Sequence, residues 1–171
     1  AGLKAGVQGI RLGCVRELLE PKACHLEVRQ AVERSLDVFR RLGASVSEVS
    51  VPLAGYVAEM LACVLEVDLG GALERTGRTC PEQMDSQSRT RWMAGVLAPA
   101  AVYQKGLKAR NALSLQLRKA LQQCDVLLSP TMPDPPRTIA SFAPRFASEV
   151  NVVERMYRLR SVMGLYSLAR L

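Results

Sequence analysis

The first fifty residues change their hydrophobic period twice, and this feature constrains the fold more than any other. Residues 9–15 alternate apolar and polar side chains, which is typical of a strand with one buried face. Residues 26–42 repeat apolar side chains at helical spacing and are followed by Gly43, a common helix stop. A second strand is predicted over residues 44–52, where Pro52 ends the ladder. Such a strand–helix–strand unit predicts a right-handed crossover in a parallel sheet.

The remaining sequence predicts several helices and one further strand. A largely buried helix is predicted over residues 54–73, because its apolar residues surround most of the helix axis. Residues 74–89 have the weakest pattern and indicate a loop or short helical turns. Helices at 86–96 and 98–122, a strand at 126–129 and a final amphipathic helix follow. The final helix is expected to carry four apolar residues: Val152, Met156, Leu159 and Met163.

The stretch DVLLSPTMPDPP, residues 125–136, joins a strand-like apolar run to four prolines. The run suits a central strand, and Pro130 is expected to end its hydrogen-bonded ladder. A proline-rich loop is predicted over residues 130–147 within a single partial domain, residues 1–171. The predicted class is α/β, with part of a mixed β-sheet flanked by helices. Ser129 and Thr131 follow the carboxyl end of the strand, where open α/β sheets usually bind ligands.

Composition argues against several classes of function. The longest apolar stretch is interrupted by Glu59 and is far shorter than the roughly 20 residues of a membrane span. The five cysteines form no CxxC pair, so we expect reduced thiols and a cytoplasmic location. Because there is one histidine, we expect no metal, and we also expect no cofactor. The net charge of +7 is spread over several elements without stacking aromatics, which makes nucleic acid the weakest candidate partner.

No catalytic constellation is evident in the 171 residues. His25, the one imidazole, stands where it would cap a helix rather than activate a nucleophile. Glu59 and Glu66 are seven residues apart and could form a carboxylate pair, but contacts at the edge of the core are the simpler interpretation. We therefore predict no catalytic residue in this chain.

Three stretches resemble the amidase signature family: GLKAGVQGIRLGCVRELLEP, HLEVRQAVERSLDVFRRLGASVSEVSVP and YQKGLKARNALSLQLRKALQQCDVLLSPTMPDPP. The resemblance implies a large mixed sheet covered by helices on both faces, and hydrolysis or transfer of amide groups. It also implies a serine–serine–lysine relay with a Gly/Ser-rich loop of the form GGSSGGS, which the 171 residues do not contain. We therefore expect a C-terminal portion of an amidase, inactive alone, whose partners are the N-terminal catalytic part and a small amide substrate.

The resemblance also implies which residues form a wall of the substrate pocket. Four are expected there: Ser129, Thr131, Arg91 and Tyr103. Arg91, or Arg89, falls near the substrate-binding arginine of glutamine-using members, although a surface arginine is the simpler interpretation. The stretch DLGGALERTGRT departs from the amidotransferase pattern and favours a hydrolase of small amides. A self-contained, non-catalytic α/β binding module is the main alternative, and a basic nucleic-acid-binding domain is a weaker one.

Overall fold

The structure, a computed structural model, describes residues 6–136, 138 and 160–169. Short 3₁₀ turns at Arg16–Leu19, Pro52–Tyr56 and Pro81–Gln83 connect some of the main elements. These elements are, in chain order, β1 (Arg11–Val15), α1 (Leu26–Arg41), β2 (Ser45–Val49), α2 (Val57–Ala72), α3 (Glu74–Thr79), α4 (Ser86–Leu97), α5 (Ala100–Gln123), β3 (Val126–Leu128) and α6 (160–169).

The three described strands form a parallel sheet in the order β2-β1-β3. Leu12 pairs with Val46 on one side and with Val126 on the other. The predicted strand–helix–strand unit is therefore confirmed, as is the α/β class. The chain leaves β1 toward β2 and later returns to its other side, which creates a change of direction between β1 and β3 where α/β proteins commonly bind ligands.

Helix α1 begins and ends where its sequence predicts. His25 is the N-cap, and its Nδ1 accepts a hydrogen bond from the Glu27 N–H at 3.3 Å. Gly43 has a φ of +89°, the left-handed conformation that glycine adopts easily after a helix. Between these ends, Val32 and Leu36 are buried against Cys14 of β1, so α1 covers one face of the sheet.

The opposite face of the sheet holds the main core. It packs against α2, α5 and α6, so the two crossovers lie on opposite faces. The buried side chains come from the strands and from all three helices: Val15, Val49, Val57, Leu61, Leu113, Leu117, Val162 and Leu165. Fully burying one aliphatic side chain of this size contributes about 1.5–3 kcal/mol, so this face dominates the hydrophobic stabilisation.

Helices α2 and α4 cross on two glycines. A Cβ on Gly70 would lie 2.9 Å from the carbonyl carbon of Gly95, and a Cβ on Gly95 would overlap the carbonyl oxygen of Glu66. Glycine at both positions therefore allows the two backbones to approach closely. This crossing explains how α4, which has few buried side chains of its own, is held against α2.

The apolar stripe of the last helix differs from the predicted one. In α6 the core face carries Val162 and Leu165, whereas Met163 is 53% exposed. The core-facing stripe is thus one position away from the predicted one. Val152, Met156 and Leu159, like most of the predicted loop at 130–147, lie outside the described residues. The ladder ends at Leu128, one residue before the predicted end of the strand, and Pro130 is buried two residues further on. Within the described sheet β3 is an edge strand and Val126 is 46% exposed, so the predicted central position was wrong for these residues.

Candidate functional site

A cleft of about 400 Å³ lies at the carboxyl end of β3, beside α6. Strand β3 and the loop after it provide one side, and one turn of α6 provides the other. We call it the β3 cleft and define it by its lining residues: Leu127, Leu128, Ser129, Pro130, Thr131, Val162, Met163 and Tyr166. The cleft therefore lies at the sheet edge where the sequence predicts a ligand.

Ser129 is oriented by a residue from the other side of the cleft. The Tyr166 hydroxyl donates a hydrogen bond to Ser129 Oγ at 3.0 Å. Burial raises the pKa of Tyr166 above its ordinary value, and the hydrogen bond with Ser129 offsets only part of that rise. Tyr166 is thus a protonated donor at neutral pH. Because Ser129 Oγ accepts this bond, its own O–H can donate to a ligand in the cleft.

The loop that carries Thr131 is fixed at its far side. The backbone N–H of His25 donates to the carbonyl oxygen of Pro133 at 2.8 Å, and Pro133 is fully buried. The same histidine that begins α1 therefore also holds the proline-rich loop. Anchoring of this kind reduces the conformational freedom of the cleft before a ligand binds.

At their amino ends, far from the cleft, strands β1 and β3 are joined by Arg11 and Asp125. Arg11 donates to Asp125 from its guanidinium at 2.7 Å and from its backbone N–H at 2.9 Å. Both hydrogen bonds hold the pKa of Asp125 below its ordinary value, and the side-chain bond has the larger effect. The pair fixes how β3 enters the sheet and thereby where its carboxyl end lies.

Arg91 lies in α4 and pairs with a carboxylate of α2. Its Nε donates to both oxygens of Glu66, at 3.0 and 2.9 Å, and the two side chains are only 17% and 5% exposed. The buried position of Glu66 agrees with its interpretation as a packing residue. Glu59, on the same helix, is exposed. Arg91 does not line the β3 cleft.

Tyr103 lies in α5, and its hydroxyl donates to Asp68 Oδ1 of α2 at 3.0 Å. It is absent from the lining of the β3 cleft, like Arg91. The structure thus brings Ser129 and Thr131 together but places Arg91 and Tyr103 in contacts with α2. The assignment of all four residues to a substrate-pocket wall remains a prediction.

Sequence reasoning missed the contribution of α6 to the cleft. Tyr166 and Met163 line the cleft only because α6 packs beside β3. No local sequence pattern predicts a contact between residues more than thirty positions apart. The available signal was weak: a tyrosine placed one position after buried Leu165 carries a hydroxyl that needs a partner at the edge of the core.

A second cavity, of about 410 Å³, lies between α1 and the other face of the sheet. We call it the α1 cavity; its lining residues are Cys14, Arg16, Leu19, Glu20, Glu33, Leu36, Arg40, Val46, Ser47 and Glu48. Burial, and then the charge of Glu48, raise the pKa of the Cys14 thiol to about 11. Cys14 is therefore a protonated thiol at neutral pH and a poor nucleophile.

Neither a metal site nor a membrane span is found in the described part of the chain. Among those residues, no group of three or more His, Cys, Asp or Glu side chains is placed to hold a metal ion. Within the same residues, no helix combines the length and the apolar character needed to cross a lipid bilayer.

Comparison with known proteins identifies the family. The Amidase family model matches residues 1–169. A glutamyl-tRNA(Gln) amidotransferase subunit from Rubrobacter xylanophilus is 34% identical, over 78% of this chain and 32% of the relative. An amidase of Pseudomonas putida is 28% identical, over 78% of this chain and 28% of the relative.

Solved structures agree with these relatives. A crystal structure of an amidase superimposes with a TM-score of 0.73 at 29% identity, covering 93% of this chain and 37% of that one. The chain spans about a third of the length of the curated relatives it matches. The family match over almost the whole sequence, together with the shared fold, shows that this chain belongs to the amidase signature family.

Proposed function

We propose that this chain is the part of an amide-hydrolysing enzyme that supplies three sheet strands, their covering helices and one wall of the substrate pocket. In this proposal the nucleophilic serine, its partner serine and the lysine come from a part of the enzyme outside these 171 residues. The absence of a Gly/Ser-rich loop from the sequence supports this division, because acyl transfer needs donors for the developing oxyanion.

The single observation that carries the proposal is the β3 cleft. It combines a location at the carboxyl edge of a parallel sheet with a hydroxyl at Ser129 that a neighbouring tyrosine orients. Small-molecule sites are typically concave and apolar with a few placed polar groups, and this cleft has that composition. Ser129 and Thr131 are the residues that we propose to contact an amide there.

We further propose hydrolysis of a linear amide C–N bond rather than transfer to a tRNA-bound substrate. The relatives include proteins named as amidases and as amidotransferase components, so the family alone leaves both open. The position of Arg91 favours hydrolysis of small amides. Its guanidinium is already neutralised by Glu66, so it is a poor candidate for binding a substrate carboxylate.

The test uses the amidase of Pseudomonas putida, with its matching segment replaced by this chain. We expect the hybrid to hydrolyse small amides, whereas the 171-residue chain alone shows no turnover and no labelling by a serine-directed fluorophosphonate. Replacing Ser129 with Ala is expected to lower kcat/KM about tenfold, since one hydrogen bond to the substrate is lost.

Ser35→Ala is the matched control, because Ser35 lies on α1 and its hydroxyl donates to the carbonyl oxygen of Ala31. Circular dichroism establishes that each hybrid is folded. A folded hybrid in which Ser129→Ala and Ser35→Ala have equal activity would rule out the proposed contact. Turnover by the 171-residue chain alone would rule out the proposed division of the enzyme.

A further inference from the structure

All of the described residues that line the β3 cleft have uncharged side chains. Its apolar members come from both sides of the cleft: Leu127, Leu128, Pro130, Val162 and Met163. Its polar members are three hydroxyl groups, on Ser129, Thr131 and Tyr166. In contrast, the α1 cavity, of nearly equal volume, is lined by Arg16, Glu20 and other charged residues. The difference in charge between the two cavities therefore does not follow from their size.

The hydroxyl groups give the cleft a defined polar end. Tyr166 donates a hydrogen bond to Ser129 Oγ at 3.0 Å and so orients the serine hydroxyl. The serine O–H then remains available as a donor. A hydroxyl polarised by a donated hydrogen bond is a better donor in turn. The carbonyl oxygen of a neutral amide is the matching acceptor, and the apolar walls then face the remainder of the ligand.

A charged group on the ligand would have no partner among these lining residues. Moving a carboxylate or an ammonium group out of water is costly unless an opposite charge or several hydrogen bonds compensate for it. An aliphatic group of the same shape instead gains from contact with Val162 and Met163. These lining residues therefore favour an uncharged ligand group over a charged one.

We propose that the β3 cleft selects amides whose acyl group is apolar and uncharged, with Ser129 donating to the amide carbonyl and Met163 contacting the acyl group. This inference rests on the proposed function and names its substrate class. It assigns to the cleft a preference against amides that carry a free carboxylate or an α-ammonium group, such as glutamine.

The test compares two amides of the same shape. In 4-methylpentanamide an isopropyl group replaces the carboxylate of succinamate. Each is titrated into the hybrid with the Pseudomonas putida amidase, labelled with ¹³C at its methionine methyl groups and with its nucleophilic serine replaced by alanine so that the amide is not consumed. We expect the Met163 methyl signal to shift, with the neutral amide binding about tenfold more tightly or better. Met93, 48% exposed on α4 compared with 53% for Met163, is the internal reference whose signal stays unchanged.

Two lysine variants test the role of charge. Met163→Lys places a cation at the cleft and is expected to reduce the preference for the neutral amide by about tenfold. Met93→Lys adds the same charge away from the cleft and is expected to leave the preference unchanged. Both side chains are about half exposed, so both variants are expected to fold, which the unfolding midpoint checks.

The outcomes separate the two proposals. Equal or tighter binding of succinamate to the hybrid without a lysine substitution overturns the substrate class but leaves an amide site at the β3 cleft. Equal effects of the two lysine variants on the preference overturn the role of Met163. If neither amide shifts the Met163 signal, both the site and its specificity are refuted.

Discussion

Because α2 and α4 cross at Gly95, we expect this glycine to be the position at which adding a single methyl group lowers the stability of the fold most. A Cβ there would overlap the carbonyl oxygen of Glu66 and would lie 3.1 Å from the Cα of Gly70. Both neighbours are backbone atoms, which cannot rotate away as the end of a side chain can. In Gly95→Ala the two helices must therefore move apart.

The magnitude follows from two opposing effects. Overpacking costs up to about 3 kcal/mol when the neighbours cannot yield. Replacing glycine with alanine inside a helix returns about 1 kcal/mol of backbone entropy. We expect Gly95→Ala to lower the free energy of unfolding by about 2 kcal/mol. Gly71→Ala is the matched control, since a Cβ at Gly71 meets nothing within 4 Å and the same entropy term gives up to about 1 kcal/mol of stabilisation.

Urea unfolding of the two variants, followed by circular dichroism, measures the difference. With an m-value of about 2 kcal/mol per molar urea, the midpoint of Gly95→Ala is expected to fall by about 1 M. The midpoint of Gly71→Ala is expected to stay constant or rise. A Gly95→Ala protein that is as stable as the unmodified chain, with an unchanged m-value, would show that the helices do not cross on these glycines.

Three further predictions concern named side chains. Arg91→Leu leaves the Glu66 carboxylate without its guanidinium partner and is expected to lower the free energy of unfolding by about 3 kcal/mol. Adding Glu66→Leu to this variant is expected to recover most of the loss. Urea unfolding that shows no recovery would contradict the buried pair. Burial alone would raise the pKa of Glu17, but hydrogen bonds from Ser50 and from the Val51 N–H hold it below its ordinary value of 4.5. The unfolded state therefore binds more protons below pH 4.5, so stability is lost as the pH falls through the folded pKa, and Glu17→Gln is expected to flatten this loss in unfolding curves from pH 3 to 6. Because the pKa of Cys14 is about 11, iodoacetamide at pH 8 is expected to alkylate Cys80 well before it, and mass spectrometry showing the reverse order would contradict its burial.

Local patterns predicted most of the fold. The change from a period of two to a helical period, the cap at His25 and the stop at Gly43 each depend on a few neighbouring residues, and each is found where the sequence indicates. The short helical turns at Glu74–Thr79 and Pro81–Gln83 also agree. Helix α6 shows the limit, because Met163 faces outward when its neighbour Val162 takes the place in the core.

The site was less predictable because it depends on contacts between distant elements. Ser129 and Thr131 were identified from their place after a strand, which is a local property. Tyr166 joins them only through the packing of α6, and Arg91 is directed to Glu66 only because α4 crosses α2 on glycines. Gly70 and Gly95, each within a helix, are the sequence signal for that crossing, since glycine lowers helix stability but allows two backbones to approach closely.

Photolabelling provides the most direct test of an amide site at the carboxyl end of β3. A neutral aliphatic amide that carries a diazirine is bound to the hybrid whose nucleophilic serine is replaced by alanine and is irradiated, and the modified residues are located by mass spectrometry. We expect labels in residues 127–131 and 162–166, with competition by unlabelled 4-methylpentanamide. The α1 cavity is the natural comparison, because its volume of about 410 Å³ nearly equals the 400 Å³ of the β3 cleft. Labels in residues 14–20 or 33–48 instead, or labels that the competitor does not reduce, would contradict the proposed site.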